Sequence, residues 1–358
     1  MKLLFFGDTL IDRNIEFSDE FSDICNSYDF CIVNLEGIFV GDGTPINKAG
    51  PHIRSDERYI DSFAEKFKIV TLANNHTMDF GESSLNHTMS ILSDNNIRWC
   101  GAGRNIEEAH KPLLLDGVSI ISVAENEFGA SDDNKAGIAC YEDLRILYNN
   151  IQECKKRGKV VVCYHGGSEI IPVPPIYLRD RFKLLSDFGV DLIIGNHPHV
   201  VQGFEENIFY SLGNFVFLGS GGSFSQYRNS DWSLVVGYDT ETSAITKYCV
   251  RMSDNKIILD EDKFTELEFL SSIISSDEYE NISNKISCLL HQLWYPNYFK
   301  SGHQPTTLHY LRCDAHRNNI SVGLSRMIGE FNDSVLEKYN VQLNGESITV
   351  NSVILESK

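Results

Sequence analysis

A chain of 358 residues that is 42% apolar and carries 26 glycines can bury enough nonpolar surface to offset its ordering entropy, which excludes disorder as its main state. At ~150 residues per domain the length predicts two or three domains. The 31 basic and 50 acidic residues leave a net charge of −19, which counts against a nucleic-acid backbone or an anionic membrane surface as the main partner, since both are polyanions.

No apolar run approaches the ~18 residues of a membrane helix, and the apolar start gives way at once to Gly7-Asp8. That start is too short for a signal-peptide core, so a cytoplasmic protein is expected. The nine cysteines include no C-x-x-C pair, and Cys31, Cys163 and Cys249 lie in strand-like runs. Buried, reduced thiols are expected.

In chain order, residues 3–6 predict a strand ending at Gly7-Asp8, 30–34 a second and 69–73 a third. Leu85, Met89 and Leu92 share one face of a helix predicted over 82–95. Residues 111–115 and 118–124 read as a strand pair across Asp116-Gly117. A helix over 144–156 precedes a Val-rich strand over 159–164, and a helix over 179–188 stops at Gly189. Strands follow at 191–194 and 208–212. These nearly continuous β-branched runs suit strands covered on both faces. From Trp232 the texture changes, and 233–237, 245–252 and 256–259 predict a small antiparallel set. Beyond Asp260 the chain reads as polar and helical to about Lys338, with short strands near Val341 and over 348–354. The glycine-serine loop at 219–225 is the candidate mobile segment.

Chemistry-bearing residues fall just after the strands. Asp8 follows the first, Glu36 the second, Asn75 and His76 the third, His165 the Val-rich strand, and His197 and His199 the strand over 191–194. Ligands of open α/β sheets collect at the carboxyl ends of strands, so five such ends can converge on one site. Asp, Glu, Asn and His form a nitrogen and oxygen donor set suited to one or two divalent ions of Mn, Fe or Zn. Each signal taken singly has a plainer reading: Gly-Asp as a turn, Asn74-Asn75-His76 as a helix cap, His165 as a satisfied buried histidine. His197-Pro198-His199 is stronger, because a proline between two histidines fixes their geometry. Five hits in order favour a metal site.

Residues 3–217 resemble the CapA family, the poly-γ-glutamate capsule synthesis proteins within the calcineurin-like metallophosphatase superfamily. The resemblance rests on Phe6-Gly7-Asp8, Asn34-Leu35-Glu36, the run from Leu72 to Gly81, the run from Gly101 to Asn105, His165-Gly166 with Glu169, Asn196-His197-Pro198-His199, and Ser211-Leu212-Gly213-Asn214-Phe215. It implies an α+β or α/β fold, a four-layer α/β/β/α metallophosphatase-like sandwich over 1–262, with a mostly helical extension of unknown role over 263–358. It also implies that Asp8 binds one metal beside His199, that Glu36 stands where the superfamily has a bridging Asp, and that Asn75 binds a second metal with His165 and His197. His76 then faces the leaving group as acid or charge stabiliser. Leu10 occupies a position where the broader superfamily has His, which leaves the first metal one ligand short. Gly166-Gly167 replaces an aromatic that the family often carries, which implies an opened substrate side.

Around this set, Asp79 and Gly81 are expected to fix the loop-to-helix turn, and Asn214 to cap or orient the loop beneath the histidine pair. Glu169 reads equally as a partner of a ligand histidine or as a loop carboxylate. Arg54, Arg104, Arg179 and Arg181 are read as solvated cations, and His303, His309 and His316 as surface or packing residues. The aromatic run over 294–299 reads as core or subunit contact ahead of a sugar or lipid platform. The implied function is a metal-dependent hydrolase of phosphoester or amide bonds, acting on a capsule-related polymer or small-molecule substrate. The alternative is a metal-binding assembly protein of such a pathway without turnover. A nucleotidase or nucleic-acid phosphodiesterase fits the superfamily but not the charge.

Overall fold

The computed structural model describes residues 1–217, 230–253, 256–294, 313–327, 341–344 and 347–350. The glycine-serine loop, His303, His309 and the side chains of the aromatic run over 294–299 lie outside the described residues. It is a mixed α/β protein. The strands in chain order are β1 (Lys2–Thr9), β2 (Glu16–Phe17), β3 (Phe30–Leu35), β4 (Ile69–Thr71), β5 (Arg98–Cys100), β6 (Ala102–Gly103), β7 (Leu113–Leu115), β8 (Val118–Ala124), β9 (Gly137–Ile138), β10 (Lys159–His165), β11 (Leu192–Asn196), β12 (Phe204–Glu205), β13 (Ile208–Phe209), β14 (Asn214–Val216), β15 (Trp232–Asp239), β16 (Ile245–Ser253) and β17 (Lys256–Leu259).

Two sheets carry the site. The nine-stranded sheet runs β2-β17-β16-β15-β1-β3-β4-β5, with β14 beside β1. The six-stranded sheet runs β12-β13-β11-β10-β8-β7. β1, β3, β4 and β5 are parallel, as are β8, β10, β11 and β13. Each parallel set therefore gathers its carboxyl ends along one edge. Burial is continuous along β8 and β11, as expected for strands covered on both faces. The segment after Trp232 is antiparallel as expected, but it is not a separate small set. β15 pairs antiparallel with β1, Leu4 opposite Gly237, and so extends the first sheet.

Helices α1 (Asp19–Asn26), α2 (Ile60–Lys66) and α3 (Gly81–Asp94) precede β5, and α4 (Ile106–Ala109), α5 (Leu144–Lys155) and α6 (Ile176–Asp187) are interleaved with the second sheet's strands. Leu85, Met89 and Leu92 of α3 are buried as their spacing predicts. α1 and α2 are short and polar, with only Phe21, Cys25, Phe63 and Ala64 buried, and their pattern is too weak to stand out in the sequence. One apolar cluster holds Leu3, Phe5 and Ile32 of the first sheet together with Ile120, Val161 and Ile194 of the second. A second joins Phe6 and Val33 to Phe21, Phe63 and Leu85 of the helices. A third joins Val160 and Ile193 to Leu147, Ile151 and Phe182. Helices α7 (Lys263–Ile274) and α8 (Tyr279–Trp294) and the helix Asp314–Met327 follow, with a hairpin of Val341–Asn344 and Ser347–Val350 beyond them. All nine cysteines are buried free thiols. No helix among the described residues is long and apolar enough to cross a membrane.

Candidate metal centre

The register of the strands sets the site. Asp8 near the end of β1 pairs with Asn34 of β3 on one side and Asn214 of β14 on the other, and His165 pairs with Asn196 across β10 and β11. Gly7 is required by close approach, because a Cβ there would stand 2.0 Å from the Gly213 carbonyl oxygen. Asn74 holds the turn after β4. Its Nδ2 donates to the Leu35 carbonyl at 2.9 Å, and its Oδ1 accepts from the His76 backbone N–H at 3.1 Å. The plainer cap-like role thus belongs to Asn74, which leaves the side chains of Asn75 and His76 free for the site.

Six side chains expected as ligands converge. Asp8, Glu36, Asn75, His165, His197 and His199 are all buried. Glu36, His165 and His197 form one group with donor atoms within 4.8 Å of one another, and Asp8, Glu36 and His199 form another. Asn75 joins the first, its Oδ1 standing 3.1 Å from His165 Nε2, which is itself 3.1 Å from His197 Nδ1. Donor atoms bound at ~2.1 Å to one ion stand about 3.0–3.4 Å apart, so this spacing fits a shared cation. Glu36 belongs to both groups. Its Oε1 is 3.6 Å from His199 Nε2 and 3.9 Å from both His165 Nε2 and His76 Nε2.

Neither Glu36 oxygen has a hydrogen-bond partner, although both are buried. A carboxylate removed from water without compensation costs several kcal/mol, so native structures pair it or give it a metal. Electrostatics agree. Burial pushes Asp8 up to about 7, against hydrogen bonds from the His197 backbone N–H and the Asn34 amide that favour its anion. Burial raises Glu36 well above the carboxylate range, and the charges of Asp8 and Glu169 raise it further. Burial drives His165 far below the usual imidazole range, with His197 and His199 adding to the fall, and brings His199 down to about 3. Neutral imidazoles and charge-starved carboxylates are the donor set a divalent cation needs. The residues present therefore fit a metal.

Neighbouring contacts aim these ligands. Asn34 Nδ2 donates to Asp8 Oδ1 at 2.8 Å and lies 3.2 Å from His165 Nδ1. His199 Nδ1 stands 2.8 Å from Asn214 Oδ1, an acceptor, which leaves Nε2 toward Glu36. Asn214 thus orients a histidine directly. His197 and His199 sit at φ of 99° and 58°, in the left-handed region, at a cost of roughly 1–3 kcal/mol each that surrounding contacts must hold.

Asp79 does more than fix the turn. Its Oδ2 accepts from the Ile53 backbone N–H at 2.7 Å and lies 2.7 Å from His76 Nδ1, while its Oδ1 pairs with the Lys48 ammonium. Nδ1–H of a neutral His76 therefore donates to Asp79, and Nε2 faces the site. Burial, then Lys48, holds His76 below the usual imidazole range. Gly81 takes φ 79° at the start of α3, a conformation suited to glycine. Glu169 is partly buried and pushed up to about 7 by burial, and its charge bears on Asp8, Glu36 and Glu127.

Three expectations are corrected. Gly166 does not open the site, because the volume a side chain would take holds Glu125, whose Cγ lies 2.6 Å from the ideal Cβ position. Arg181 is not a solvated cation. Its side chain is 15% exposed and its Nη1 donates to Glu125 Oε1 at 3.1 Å. Arg179 is likewise paired, its Nε donating to Glu205 Oε2 at 2.8 Å. Arg54 and Arg104 are exposed as expected.

Sequence reasoning assigned no role to Asn34, Lys48, Glu125 or Glu127. Asn34 was within reach, since it ends the strand expected over 30–34, two residues before Glu36. Glu127 is buried and pushed up to about 8 by burial and by Glu169, against a hydrogen bond from Asn75. Lys48 sits in a loop without periodic pattern and arrives through the tertiary fold. Leu10 is buried, with its Cδ1 2.2 Å from a Cβ built on Gly37, so it adds packing and no donor.

Known proteins resemble the chain over these same strands. Residues 2–218 match the family model described as "Bacterial capsule synthesis protein PGA_cap". The chain is 31% identical over 180 residues to the PGA biosynthesis protein CapA of Bacillus subtilis (strain 168), covering 46% of this chain and 47% of that protein. It is 32% identical over 184 residues to the capsule biosynthesis protein CapA of Bacillus anthracis, covering 46% and 44%. A probable polyglutamine synthesis accessory protein of Mycobacterium tuberculosis is 25% identical over 211 residues, covering 52% and 55%. The chain spans about half the length of the curated relatives it matches. The family match runs through every strand end that supplies the converging residues and takes in more than half of the chain, and on that ground the chain belongs to the PGA_cap family of bacterial capsule synthesis proteins.

Proposed function

We propose that this protein is a metal-dependent hydrolase of a phosphoester or amide bond, acting in the assembly of a bacterial capsule, polysaccharide or poly-γ-glutamate polymer. The observation that carries the reading is the Glu36 carboxylate, buried, without a hydrogen-bond partner and faced by three histidines. The biosynthetic setting comes from the names of the relatives. The catalytic unit is residues 1–262, read as a four-layer α/β/β/α sandwich because one apolar cluster lies between the sheets' residues and two others join sheets to helices. Residues 263–358 are an extension.

In this reading Asp8, Glu36 and His199 hold one divalent ion of Mn, Fe or Zn, and Glu36, Asn75, His165 and His197 hold a second. A cation there lowers the pKa of water and steadies the oxygens that attack and leave. His76 exchanges a proton through Nε2 while Asp79 holds Nδ1 and so fixes the ring. Asn214 and Asn34 keep the ligand side chains aimed, and the charge of Glu169 bears on Asp8, Glu36 and Glu127. The test is metal analysis of purified protein joined to turnover of an activated phosphodiester and of γ-glutamyl amides. One to two equivalents of metal with metal-dependent turnover supports the reading.

A second reading, a metal-binding assembly protein without turnover, is favoured by buried Leu10, which supplies no donor beside Asp8. Metal binding with no turnover on either substrate class selects it.

A further inference from the structure

We propose that the C-terminal helix Asp314–Met327, which lies beyond the family match, is a brace that holds the loop following His165, residues 166–175, in its working conformation. Two connections run from that helix to the loop. Asp314 pairs with the Arg181 guanidinium, Arg181 Nη1 donates to Glu125 Oε1 at 3.1 Å, and Glu125 accepts a hydrogen bond from the Gly167 backbone N–H. Glu125 also fills the space above Gly166. Independently, Asn319 Nδ2 donates to Ser168 Oγ at 3.3 Å, with both residues buried. The far end of the loop is pinned by α8, where the Tyr279 hydroxyl donates to the Pro174 carbonyl oxygen at 2.9 Å and Ser283 Oγ donates to it at 3.3 Å.

The loop needs such holding. Ile170 sits at φ 60°, in the left-handed region that a β-branched residue avoids, and Gly167 at φ 110°. Strained backbone persists only where its surroundings over-determine it. Inside the loop, Ile170 N–H donates to the Pro198 carbonyl at 2.8 Å and Gln202 Nε2 donates to the Ile171 carbonyl at 2.7 Å. The braced segment therefore leans on the proline between His197 and His199, starts directly after His165 and carries Glu169. Asp314, Asn319, Arg181 and Glu125 are positioning residues. Their consequence for a bound ion rests on the metal-centre reading above.

Hydrogen exchange of the full chain, read by mass spectrometry, tests the brace without metal. In Asp314→Ala/Asn319→Ala, exchange over residues 166–173 should rise about tenfold or more, while β1 and β3 stay protected. Asp314→Glu with Asn319 retained keeps both links and should exchange as slowly as wild type over residues 166–173. The Mn²⁺ dissociation constant should rise ~10-fold, the lower end of the range for residues that orient metal ligands. Unchanged exchange over 166–173, or equal acceleration throughout the chain, overturns the brace. Raised loop exchange with unaltered Mn²⁺ affinity overturns its role in aiming ligands. If the double variant fails to fold, Asn319→Ala alone decides, because it removes the side-chain link to Ser168 and leaves the Arg181 connection in place: faster exchange over residues 166–173 supports the brace and unchanged exchange overturns it. A wild-type chain that binds no Mn²⁺ sinks the metal-centre reading, and the exchange result still decides the brace.

Discussion

His165 Nε2 and His197 Nδ1 face each other at 3.1 Å. Two imidazole nitrogens at this separation share either a proton or a cation, and the depressed affinity of His165 for protons favours the cation. His165 ends β10, whereas His197 owes its place to a left-handed backbone at φ 99°. In the proposed assignment Asn75 joins this half of the site, which gives it a fuller donor set than the half built on Asp8. His197→Ala should weaken Mn²⁺ binding by at least about 10–100-fold and lose more metal to a chelator than Asp8→Ala. Metal analysis after matched chelation reads the difference, and equal loss from the two variants would contradict the ranking.

His76 is expected to act on substrate rather than on folding. Its Nε2 lies 3.9 Å from Glu36 Oε1 while Asp79 secures the other nitrogen. His76→Asn should keep metal content and melting temperature close to wild type and lower turnover of an activated phosphodiester by ~10²–10⁴-fold, the usual worth of a positioned acid or base. Metal, melting and rate should be measured on one preparation. Turnover unchanged at full metal content would remove His76 from the chemistry and favour the assembly-protein reading.

The carboxylates make metal-free protein sensitive to alkali. Asp8 and Glu169, pushed to about 7, and Glu127, pushed to about 8, keep protons in the fold that the unfolded chain releases near ~4. Their contribution to stability is complete below the unfolded value and is lost as pH rises through 7 to 8. His199, lowered to about 3, works oppositely, but its contribution is already complete above the unfolded imidazole value of ~6.5. Chelator-treated protein should therefore melt lower at pH ~8.5 than at pH ~6.5. Saturating Mn²⁺ should shrink or reverse that difference, because it favours the deprotonated ligands. A chelated protein whose melting point climbs across this window would refute the account.

Gly7→Ala should be among the most damaging small changes. The new methyl would press on the Gly213 carbonyl oxygen, a backbone atom in the turn before Asn214. Separating these segments should cost about 3 kcal/mol, the upper part of the range for overpacking, and loosen the hold of Asn214 on His199. Urea denaturation with Mn²⁺ titration checks both, and a variant as stable as wild type would show that the segments can part freely.

The sequence by itself determined the long parallel strands β1, β3, β8, β10 and β11, their burial, and the polar residues that meet at their carboxyl ends. Runs such as Val160-Val161-Val162 leave little choice of secondary structure, and a polar residue placed just after a buried strand has few places to go except the sheet edge. Asp8, Glu36, Asn75, His165, His197 and His199 were legible for that reason. The tertiary structure alone decided what these residues meet. Lys48, Glu125 and Arg181 lie in loops or on helix faces whose pattern carries no address, and their partners stand 31, 56 and 133 residues away in the pairs Lys48–Asp79, Arg181–Glu125 and Arg181–Asp314. A side chain's local pattern reports its own burial, but a pairing over such distances is set by how separate elements pack. The same limit applies to β15, whose strand character is local but whose place beside β1 depends on which edge of the sheet is left uncovered.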